Sequence, residues 1–377
     1  MPNINNIILK EIEGKNIIWF KNSNSYGIFN SLVAEVFIKI NTNTSRDKIE
    51  KWCLQKFKIP SNQIKEILEE IYTIYKSHTD ISRMSAPIEI DYSIPKKFYS
   101  EKKYIIHNYV FNLQYETAYH ELKIHPTFAH LECSTSKKID FHYTFFTYKE
   151  TIIFLKNQYF IGQWEKDKAH IFEGKVSMHI LIDIYKKPEK EWMGVFHASA
   201  VSKGNDSLLF LGASGNGKST SLALLIANGY NCIADDFVPI DSQKNIYTYP
   251  AAISIKESSL KTLLPYYPRL ENSTKYQLKK RQNAVRFLAS KSACFSQKFK
   301  CKALVFIKYN PAVTIKVNTI SKVEAFRQLV PDAWISPSAK NATIFLDWFL
   351  DLPCYELTYS DNKLMTDTVS KIFNNEL

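Results

Sequence analysis

Residues 212–219 read Gly-Ala-Ser-Gly-Asn-Gly-Lys-Ser, the complete pattern G-x-x-x-x-G-K-[ST] of a phosphate-binding loop. The short apolar run before it, Ser207–Leu211, predicts a buried strand. The Ala- and Leu-rich run after it, Thr220–Asn228, predicts a helix that ends at Gly229. Because such a loop needs a strand before it and a helix behind it, the segment predicts an α/β fold built around a nucleotide.

The residue types of the loop suit the chemistry of phosphate. Glycines allow successive backbone N–H groups to turn toward one anion, and the N-terminus of the following helix adds a favourable dipole. Lys218 supplies a positive charge near the outer phosphates, and the Ser219 hydroxyl suits Mg²⁺. The predicted nucleotide contacts of this segment are Gly212, Ser214, Gly215, Asn216, Gly217, Lys218, Ser219 and Thr220.

Two acids and a histidine accompany the loop. The run 229–236 predicts a second strand that ends in Asp235 and Asp236, with Asp235 only 17 residues beyond Lys218. The run Val195–Val201 predicts a third strand and contains His197, 21 residues before Lys218. A lone histidine on a strand is usually a hydrogen-bonded core residue, but this spacing favours a site where neighbouring strands end.

The arrangement His-Ala, GASGNGKST and Ala-Asp-Asp resembles the HPr kinase/phosphorylase family, whose nucleotide fold is of the phosphoenolpyruvate carboxykinase type. The resemblance covers about residues 100–375 and implies ATP and Mg²⁺ as cofactors. It implies that Asp235 takes the proton from a seryl hydroxyl, that Asp236 holds Mg²⁺ with Ser219, and that His197 positions Asp235. Adjacent acids on a strand point to opposite faces unless the strand has just ended, so the roles of the two acids could also be reversed.

Two further basic residues are candidates for the site. Lys256 follows an alternating strand and would reach a phosphate or the base, although a solvated surface lysine fits the pattern equally well. Arg286 lies in an apolar stretch and is the candidate arginine for the transferred phosphate, with a surface arginine on a short amphipathic strand as the alternative. The segment 269–302 has ten Lys and Arg residues against one acid, a net charge of +9, and its polarity suggests a lid over ATP.

Residues 1–80 predict a small winged-helix-like α+β domain. Two apolar runs around Gly14 predict a hairpin, and three helical patterns follow, with apolar faces through Val36, Trp52 and Leu68. The segment resembles the PqqD-like elements that recognise leader peptides of ribosomally made, modified peptides. The resemblance rests on Asn22 and Asn24 before a helix, on Thr-Asn-Thr-Ser at 42–45 opening the next, and on a third helix after Lys-Ile-Pro at 58–60.

In such elements a leader peptide adds a strand beside the hairpin and packs on the third helix. Two other interpretations stay open: helices that only brace the catalytic domain, and a winged-helix DNA reader, which the mildly basic charge of residues 1–80 disfavours. Residues 81–99 then predict a linker.

The rest of the chain predicts an HPr kinase-like catalytic domain over residues 100–377. The stretch 100–190 alternates aromatic and polar residues, as antiparallel strands do, and predicts a β-rich lobe. Residues 191–377 form the predicted nucleotide-binding core, with a strand at Ala303–Ile307 and helices at Lys322–Leu329 and Ala342–Phe349.

Composition and charge indicate which cellular compartment and which classes of partner to expect. The 377 residues are 45% hydrophobic, without a secretion-signal pattern at the start or an apolar run long enough for a membrane span. Six scattered cysteines without a C-x-x-C pair favour reduced thiols in the cytoplasm. The pI near 9.1 arises largely near the predicted ATP site, so neither nucleic acid nor membrane is an expected partner.

The sequence thus predicts an ATP- and Mg²⁺-dependent kinase that phosphorylates a Ser or Thr hydroxyl of a peptide or small protein. The N-terminal domain would recruit this substrate, which is a ribosomally made precursor peptide if the second resemblance holds. The alternatives are a kinase for a small metabolite such as free serine, a carboxykinase, and a non-catalytic nucleotide-binding regulator. The sequence leaves open GTP or pyrophosphate as donor, a reverse phosphorylase activity, and a homo-oligomer.

Overall fold

The structure is a computed structural model and describes residues 6–57, 60–80, 92–277, 284–289 and 295–377. Internal packing divides the chain into two compact units. The first unit comprises Met1–Glu89 and Thr319–Cys354, and the second comprises Ile90–Asn318 and Tyr355–Leu377. The chain is a mixed α/β protein with several sheets.

The elements follow one another along the chain in two long series. The first series is β1 (Ile7–Ile12), β2 (Lys15–Phe20), β3 (Ser25–Phe29), α1 (Ser31–Asn41), α2 (Arg46–Phe57), α3 (Ser61–Thr79), β4 (Ser100–Ile106), β5 (Tyr109–Tyr115), α4 (Ala118–Phe128), β6 (Phe141–Tyr148), β7 (Thr151–Lys156), β8 (Tyr159–Glu165), α5 (Ala169–Tyr185), β9 (Trp192–Phe196) and β10 (Ser199–Lys203). The second series is β11 (Asp206–Leu211), α6 (Lys218–Ala227), β12 (Asn231–Asp235), β13 (Val238–Asp241), β14 (Asn245–Ile246), β15 (Ile253–Lys256), α7 (Leu260–Leu263), β16 (Val285–Leu288), β17 (Phe299–Tyr309), β18 (Ile315–Thr319), α8 (Lys322–Leu329), β19 (Ala333–Ile335), α9 (Ala339–Asp351), β20 (Cys354–Tyr359) and α10 (Asn362–Phe373).

The N-terminal hairpin and the three helices after it are confirmed. β1 pairs antiparallel with β2, from Ile7 opposite Phe20 to Ile12 opposite Lys15. A third strand, β3, was not predicted and pairs antiparallel with β2. The apolar faces of α1, α2 and α3 pack on this sheet around a core that includes Phe20 and Phe37.

Asn22 and Asn24 precede a strand rather than the predicted helix. Asn24 has a φ of +47°, in the left-handed region that Asn tolerates in turns. Its side-chain oxygen accepts from the Trp19 indole nitrogen at 2.8 Å, which fixes the turn between β2 and β3. The predicted linker lies largely outside the described residues, as do Lys58 and Ile59.

The segment Thr319–Cys354 packs with the N-terminal residues, whereas the sequence had suggested that it belonged to the nucleotide-binding core. The Glu13 carboxylate accepts the backbone N–H of Lys322 at 2.7 Å, at the N-terminus of α8, where a negative charge is favourable. The Tyr26 ring packs edge-on against Phe326 and Phe345, with centroids 6.0 and 5.5 Å away. These contacts join segments that lie about 300 residues apart in sequence, so no local pattern predicts them.

In the second unit the largest sheet runs in the order β12-β10-β11-β17-β14-β13-β9, and β20 pairs with β17. β10 is antiparallel to both β11 and β12, and β11 is parallel to β17. The three strands β12, β11 and β17 therefore run in one direction, and their carboxyl ends lie at one edge of the sheet. Helices α6 and α10 pack on the strands through buried residues such as Leu222, Leu225 and Val369.

The region 100–190 is less purely β than its sequence suggests. Its five strands form a sheet in the order β4-β5-β6-β7-β8, but β5 and β6 are parallel, because α4 returns the chain between them. The 17-residue helix α5 follows the sheet. Most of its apolar residues are buried, among them Val176, Ile180 and Leu181.

Within the described residues, no helix has the length and apolar character needed to cross a membrane. Five of the six cysteines fall within these residues, and none of the five forms a disulfide with another.

Candidate functional site

The glycine-rich loop 212–217 joins β11 to α6, in the order that the sequence predicted. Gly212, Gly215 and Gly217 have φ values of +136°, +100° and +96°, which side-chain-bearing residues rarely adopt. A Cβ on Gly212 would lie 2.8 Å from the carbonyl oxygen of Ile307. The loop is therefore restricted to glycine at Gly212 both by conformation and by space.

Hydrogen bonds within the loop and to the neighbouring strand fix its shape. Within the loop, the Asn216 backbone N–H donates to the carbonyl oxygen of Ala213 at 3.1 Å. The Tyr309 N–H, at the end of β17, donates to the carbonyl oxygen of Asn216 at 3.0 Å. Lys218 is 5% exposed, and its Nζ donates to the carbonyl oxygen of Gly212 at 2.6 Å. The ammonium group is thus held inside the curve of the loop.

Asp235, the last residue of β12, is buried and accepts several hydrogen bonds. Its Oδ1 accepts from the Ser199 hydroxyl at 2.5 Å, and its Oδ2 accepts from the Ser254 N–H at 3.3 Å. The Ser219 hydroxyl, in the first turn of α6, also hydrogen-bonds to this carboxyl group. Burial raises the pKa of Asp235 to about 7, the charge on Asp236 adds to the rise, and the three hydrogen bonds oppose it.

Asp236 and His197 form a second, more open pair. Asp236 has a φ of +60°, so the chain turns as soon as β12 ends and both carboxylates stay near the loop. His197 Nδ1 lies 3.5 Å from Asp236 Oδ1, and the two side chains are 35% and 40% exposed. The predicted partner of His197 was Asp235, and the structure places it beside Asp236 instead.

His197 also differs from its prediction in local structure. The predicted single strand 195–201 is two strands, β9 and β10, and His197 lies in the turn between them. The Ala198 N–H closes this turn on the carbonyl oxygen of Phe196 at 2.9 Å. The break arises because β9 pairs with β13, whereas β10 pairs with β11 and β12. The turn brings the imidazole to the edge of the sheet where the acids lie.

The loop, Asp236 and His197 surround a polar cavity of about 260 Å³. Lys256, at the end of β15, is part of the wall, and its Nζ lies 3.3 Å from the Ser214 hydroxyl. The lining residues are His197, Ser214, Gly215, Gly217, Lys218, Ser219, Thr220, Asp236, Ser254, Lys256, Ser258 and Ser259. This wall offers two ammonium groups, one carboxylate, one imidazole and six hydroxyl groups, a set suited to a phosphorylated ligand.

Four serines of the site were not predicted. Ser199 holds Asp235, and Ser254, Ser258 and Ser259 line the cavity, where Ser259 accepts from the Thr220 hydroxyl at 2.8 Å. The clustering of three serines within three residues of Lys256 was the available signal in the sequence.

Arg286 is not brought to the cavity. It is 5% exposed on β16, and its guanidinium group donates to the carbonyl oxygen of Ser273. Its Nε lies 3.7 Å from a carboxylate oxygen of Glu257. In this arrangement Arg286 joins Ser273 to the β15–β16 pair. The predicted lid includes Lys279, Lys280, Arg281 and Lys291, which lie outside the described residues.

The donor groups fit Mg²⁺ better than a metal that needs an all-protein cage. Among the described side chains, no group of three or more His, Cys, Asp and Glu is arranged to hold a metal ion. Mg²⁺ usually takes one or two carboxylates and completes its shell with water and phosphate oxygens. The Ser219 hydroxyl lines the cavity and offers one oxygen beside the loop, and Asp235 holds this hydroxyl in place by a hydrogen bond. No protein-family model and no curated protein matches this chain.

Proposed function

We propose that the protein is an ATP- and Mg²⁺-dependent kinase that phosphorylates a Ser or Thr hydroxyl of a peptide or small protein in the cytoplasm. One observation carries the proposal. Three glycines with positive φ lead into a helix that begins at Lys218, and this loop shares a cavity of about 260 Å³ with Asp236 and His197. Phosphoryl transfer requires phosphate positioning, charge neutralisation and a carboxylate for the acceptor proton, and this cavity has a group for each.

The loop and the lysines would bind the phosphates of the donor. Backbone N–H groups of the loop and of the first turn of α6 bind oxygens of the inner phosphates. Lys218 and Lys256, which both line the cavity, balance the charge of the outer phosphates. Ser219, which lines the cavity, would bind Mg²⁺, and Asp235 would orient the Ser219 hydroxyl through its hydrogen bond; the ion would neutralise charge on the phosphates during transfer.

Exposure favours Asp236 as the general base, which reverses the roles implied by the resemblance to HPr kinase. Asp235 is 2% exposed and already accepts from Ser199, Ser219 and Ser254. Asp236 lines the cavity, and an acceptor hydroxyl that entered there would give its proton to this carboxylate. The hydroxyl oxygen then bonds to the γ-phosphorus, the bond to the β-phosphate oxygen breaks, and ADP leaves. His197 positions Asp236.

A peptide acceptor is supported by the architecture of the first unit. Its three-stranded sheet and three following helices agree with the winged-helix-like pattern that suggested a PqqD-like recognition element. β3 lies at one side of that sheet in the described part of the chain, and an extended leader would add to such an edge. A kinase for a small metabolite would use the same cavity and would not need this unit. A non-catalytic nucleotide-binding regulator would not need Asp236 beside the cavity.

The test compares three variants for nucleotide binding and phosphoryl transfer. Calorimetry measures the binding of Mg·ATP, and intact mass after incubation with Mg·ATP identifies a phosphorylated peptide. Asp236→Asn should retain Mg·ATP binding and lose roughly 100-fold or more in rate, because only the base is removed. Asp235→Asn should weaken Mg·ATP binding, and Lys218→Ala should lose both binding and transfer.

Each outcome has a defined meaning. A wild-type protein that does not bind Mg·ATP would overturn the proposal. Weakened Mg·ATP binding in Asp236→Asn, together with a purely catalytic loss in Asp235→Asn, would restore the roles that the family resemblance implies. Lys203→Ala, which changes an exposed lysine at the far end of β10, is the matched control and should behave as the wild type.

A further inference from the structure

The donor phosphates have a defined direction in the proposed site, and this direction indicates where the rest of the donor lies. In the sheet order β12-β10-β11-β17, the acids follow β12 on one side of the loop strand, and Tyr309 ends β17 on the other side. With strands about 4.8 Å apart, the acids lie roughly 10 Å to one side and Tyr309 roughly 5 Å to the other. If the reacting phosphate faces Asp236, the opposite end of the donor leaves toward β17.

Tyr309 is held rigidly against the loop but remains half-exposed. Its backbone N–H donates to Asn216, and its Cβ would lie 3.6 Å from a Cβ on Gly217. Its ring packs edge to face with Tyr359, whose hydroxyl group hydrogen-bonds with Ser221 of α6 at 2.8 Å. The side chain is nevertheless 50% exposed. An aromatic ring fixed from behind and open to solvent is a preorganised surface for another ring.

The cavity itself offers no such surface. Its described lining consists of Ser, Thr, Gly, Lys, Asp and one His, and contains no Phe, Tyr or Trp. Serine hydroxyls and ammonium groups suit phosphates, whereas a nucleobase gains most from stacking on an aromatic face.

We propose that Tyr309 is the stacking platform for the nucleobase of the donor, so that the donor is a nucleoside triphosphate rather than inorganic pyrophosphate or polyphosphate. The inference rests on the proposed phosphate-binding role of the loop and adds a second subsite to it. The triphosphate spans the loop, with its reacting end at Asp236 and its base on Tyr309.

The experiment separates the base from the phosphates by using two ligands. Calorimetry measures the dissociation constants of Mg·ATP and of Mg·tripolyphosphate, which has the phosphates but no base. Wild type should bind Mg·ATP more tightly than Mg·tripolyphosphate. Tyr309→Ala should weaken Mg·ATP binding about tenfold or more and leave Mg·tripolyphosphate binding unchanged, because only the base loses its stacking partner. Tyr309→Phe keeps the ring and should bind both ligands as the wild type does.

Tyr266 supplies a matched control, because it is a tyrosine of the same unit with 51% exposure. Tyr266→Ala should bind both ligands normally. Unchanged Mg·ATP affinity in Tyr309→Ala would overturn the inference, and so would an equal loss for both ligands, which would mean that Tyr309 only supports the loop. Equal affinity of the wild type for the two ligands would also overturn it. If the wild type binds neither ligand, the proposed function itself fails.

Discussion

Asp235 is a carboxyl group whose ionisation opposes folding. Burial and the neighbouring charge of Asp236 raise its pKa in the folded protein from 3.8 to about 7. Between these values the folded state keeps a proton that the unfolded state releases. The free energy of unfolding therefore falls as the pH rises through this range, because the unfolded state binds fewer protons. The folded protein is therefore more stable when Asp235 is protonated than when it is ionised.

We expect Asp235→Asn to remove this pH dependence. The variant should be about as stable as wild type near pH 4 and more stable at pH 8, by roughly 2 to 4 kcal/mol, because one pKa unit corresponds to 1.36 kcal/mol. Urea unfolding across this pH range, without nucleotide and Mg²⁺, measures the difference. Asp332→Asn, at an exposed acid, should follow the wild-type curve. A variant that is less stable than the wild type at pH 8 would contradict this explanation.

At the scale of the element, the loop between β11 and α6 and the end of α6 both need glycine, for different reasons. Gly212 has a φ of +136°, and a Cβ added to it would lie 2.8 Å from the carbonyl oxygen of Ile307. Gly229 has a φ of +90° after α6, but an added Cβ there has no neighbour within 4 Å. Both positions have a positive φ that favours glycine, and only Gly212 also has no room for a side chain.

This pair predicts two different results for the same substitution. Gly229→Ala should cost about 1 kcal/mol of stability and leave Mg·ATP binding intact. Gly212→Ala should abolish Mg·ATP binding, because β17 backbone would have to move away from the loop. Thermal unfolding and calorimetry measure the two effects. Intact Mg·ATP binding in Gly212→Ala would show that the loop does not need the geometry described here.

The elements that the sequence predicted well are those with strong local signals. β11 and α6 follow from an apolar run, a glycine-rich loop and Gly229, and α8 has the predicted bounds Lys322–Leu329. The turn at His197 was missed because no Gly, Pro, Asn or Asp marks it. Helix α5 was missed because many of its positions are apolar, so that its apolar face has little contrast in the sequence.

The residues that meet around the cavity were largely predictable from the sequence, but their geometry was predictable only in part. The loop, Lys256 and both acids were identified because their chemistry is carried by the residues themselves. Which acid faces the cavity depends on the φ of Asp236 and on hydrogen bonds from Ser199 and Ser254, which come from other strands. The direction of the Arg286 side chain likewise depends on Ser273, which local sequence does not reveal.

For the whole molecule, the discontinuous first unit changes what a deletion can test. Phe326 and Phe345 of α8 and α9 are 3% and 0% exposed, and both pack against Tyr26. Deleting residues 1–80 to remove the proposed recognition element would uncover these rings. We expect the remaining protein to unfold at lower temperature and to bind a hydrophobic dye, and we expect a separate 1–80 polypeptide to reverse both changes. A deletion variant that melts like the full chain would contradict the shared core.

A point variant tests the same core without a deletion. Tyr26→Ala should destabilise the protein by about 3 kcal/mol or more, as is usual for loss of a packed aromatic ring. Tyr26→Phe is the control and should not, because the Tyr26 hydroxyl is buried without a hydrogen-bond partner among the described residues. Chemical unfolding of the two variants gives the comparison, and equal loss in both would mean that the hydroxyl rather than the ring stabilises the unit.

The return of Thr319–Cys354 to the unit begun by Met1–Glu89 also has a consequence for biogenesis. A ribosome makes the chain in one direction, and an N-terminal domain usually folds while the rest is still being translated. Here the first unit cannot complete its core until Thr319–Cys354 has been synthesised, after the whole intervening segment Ile90–Asn318. The nascent chain therefore carries an unfinished first unit while residues 90–318 are being made, and we expect ribosome-associated chaperones to protect its exposed apolar surface.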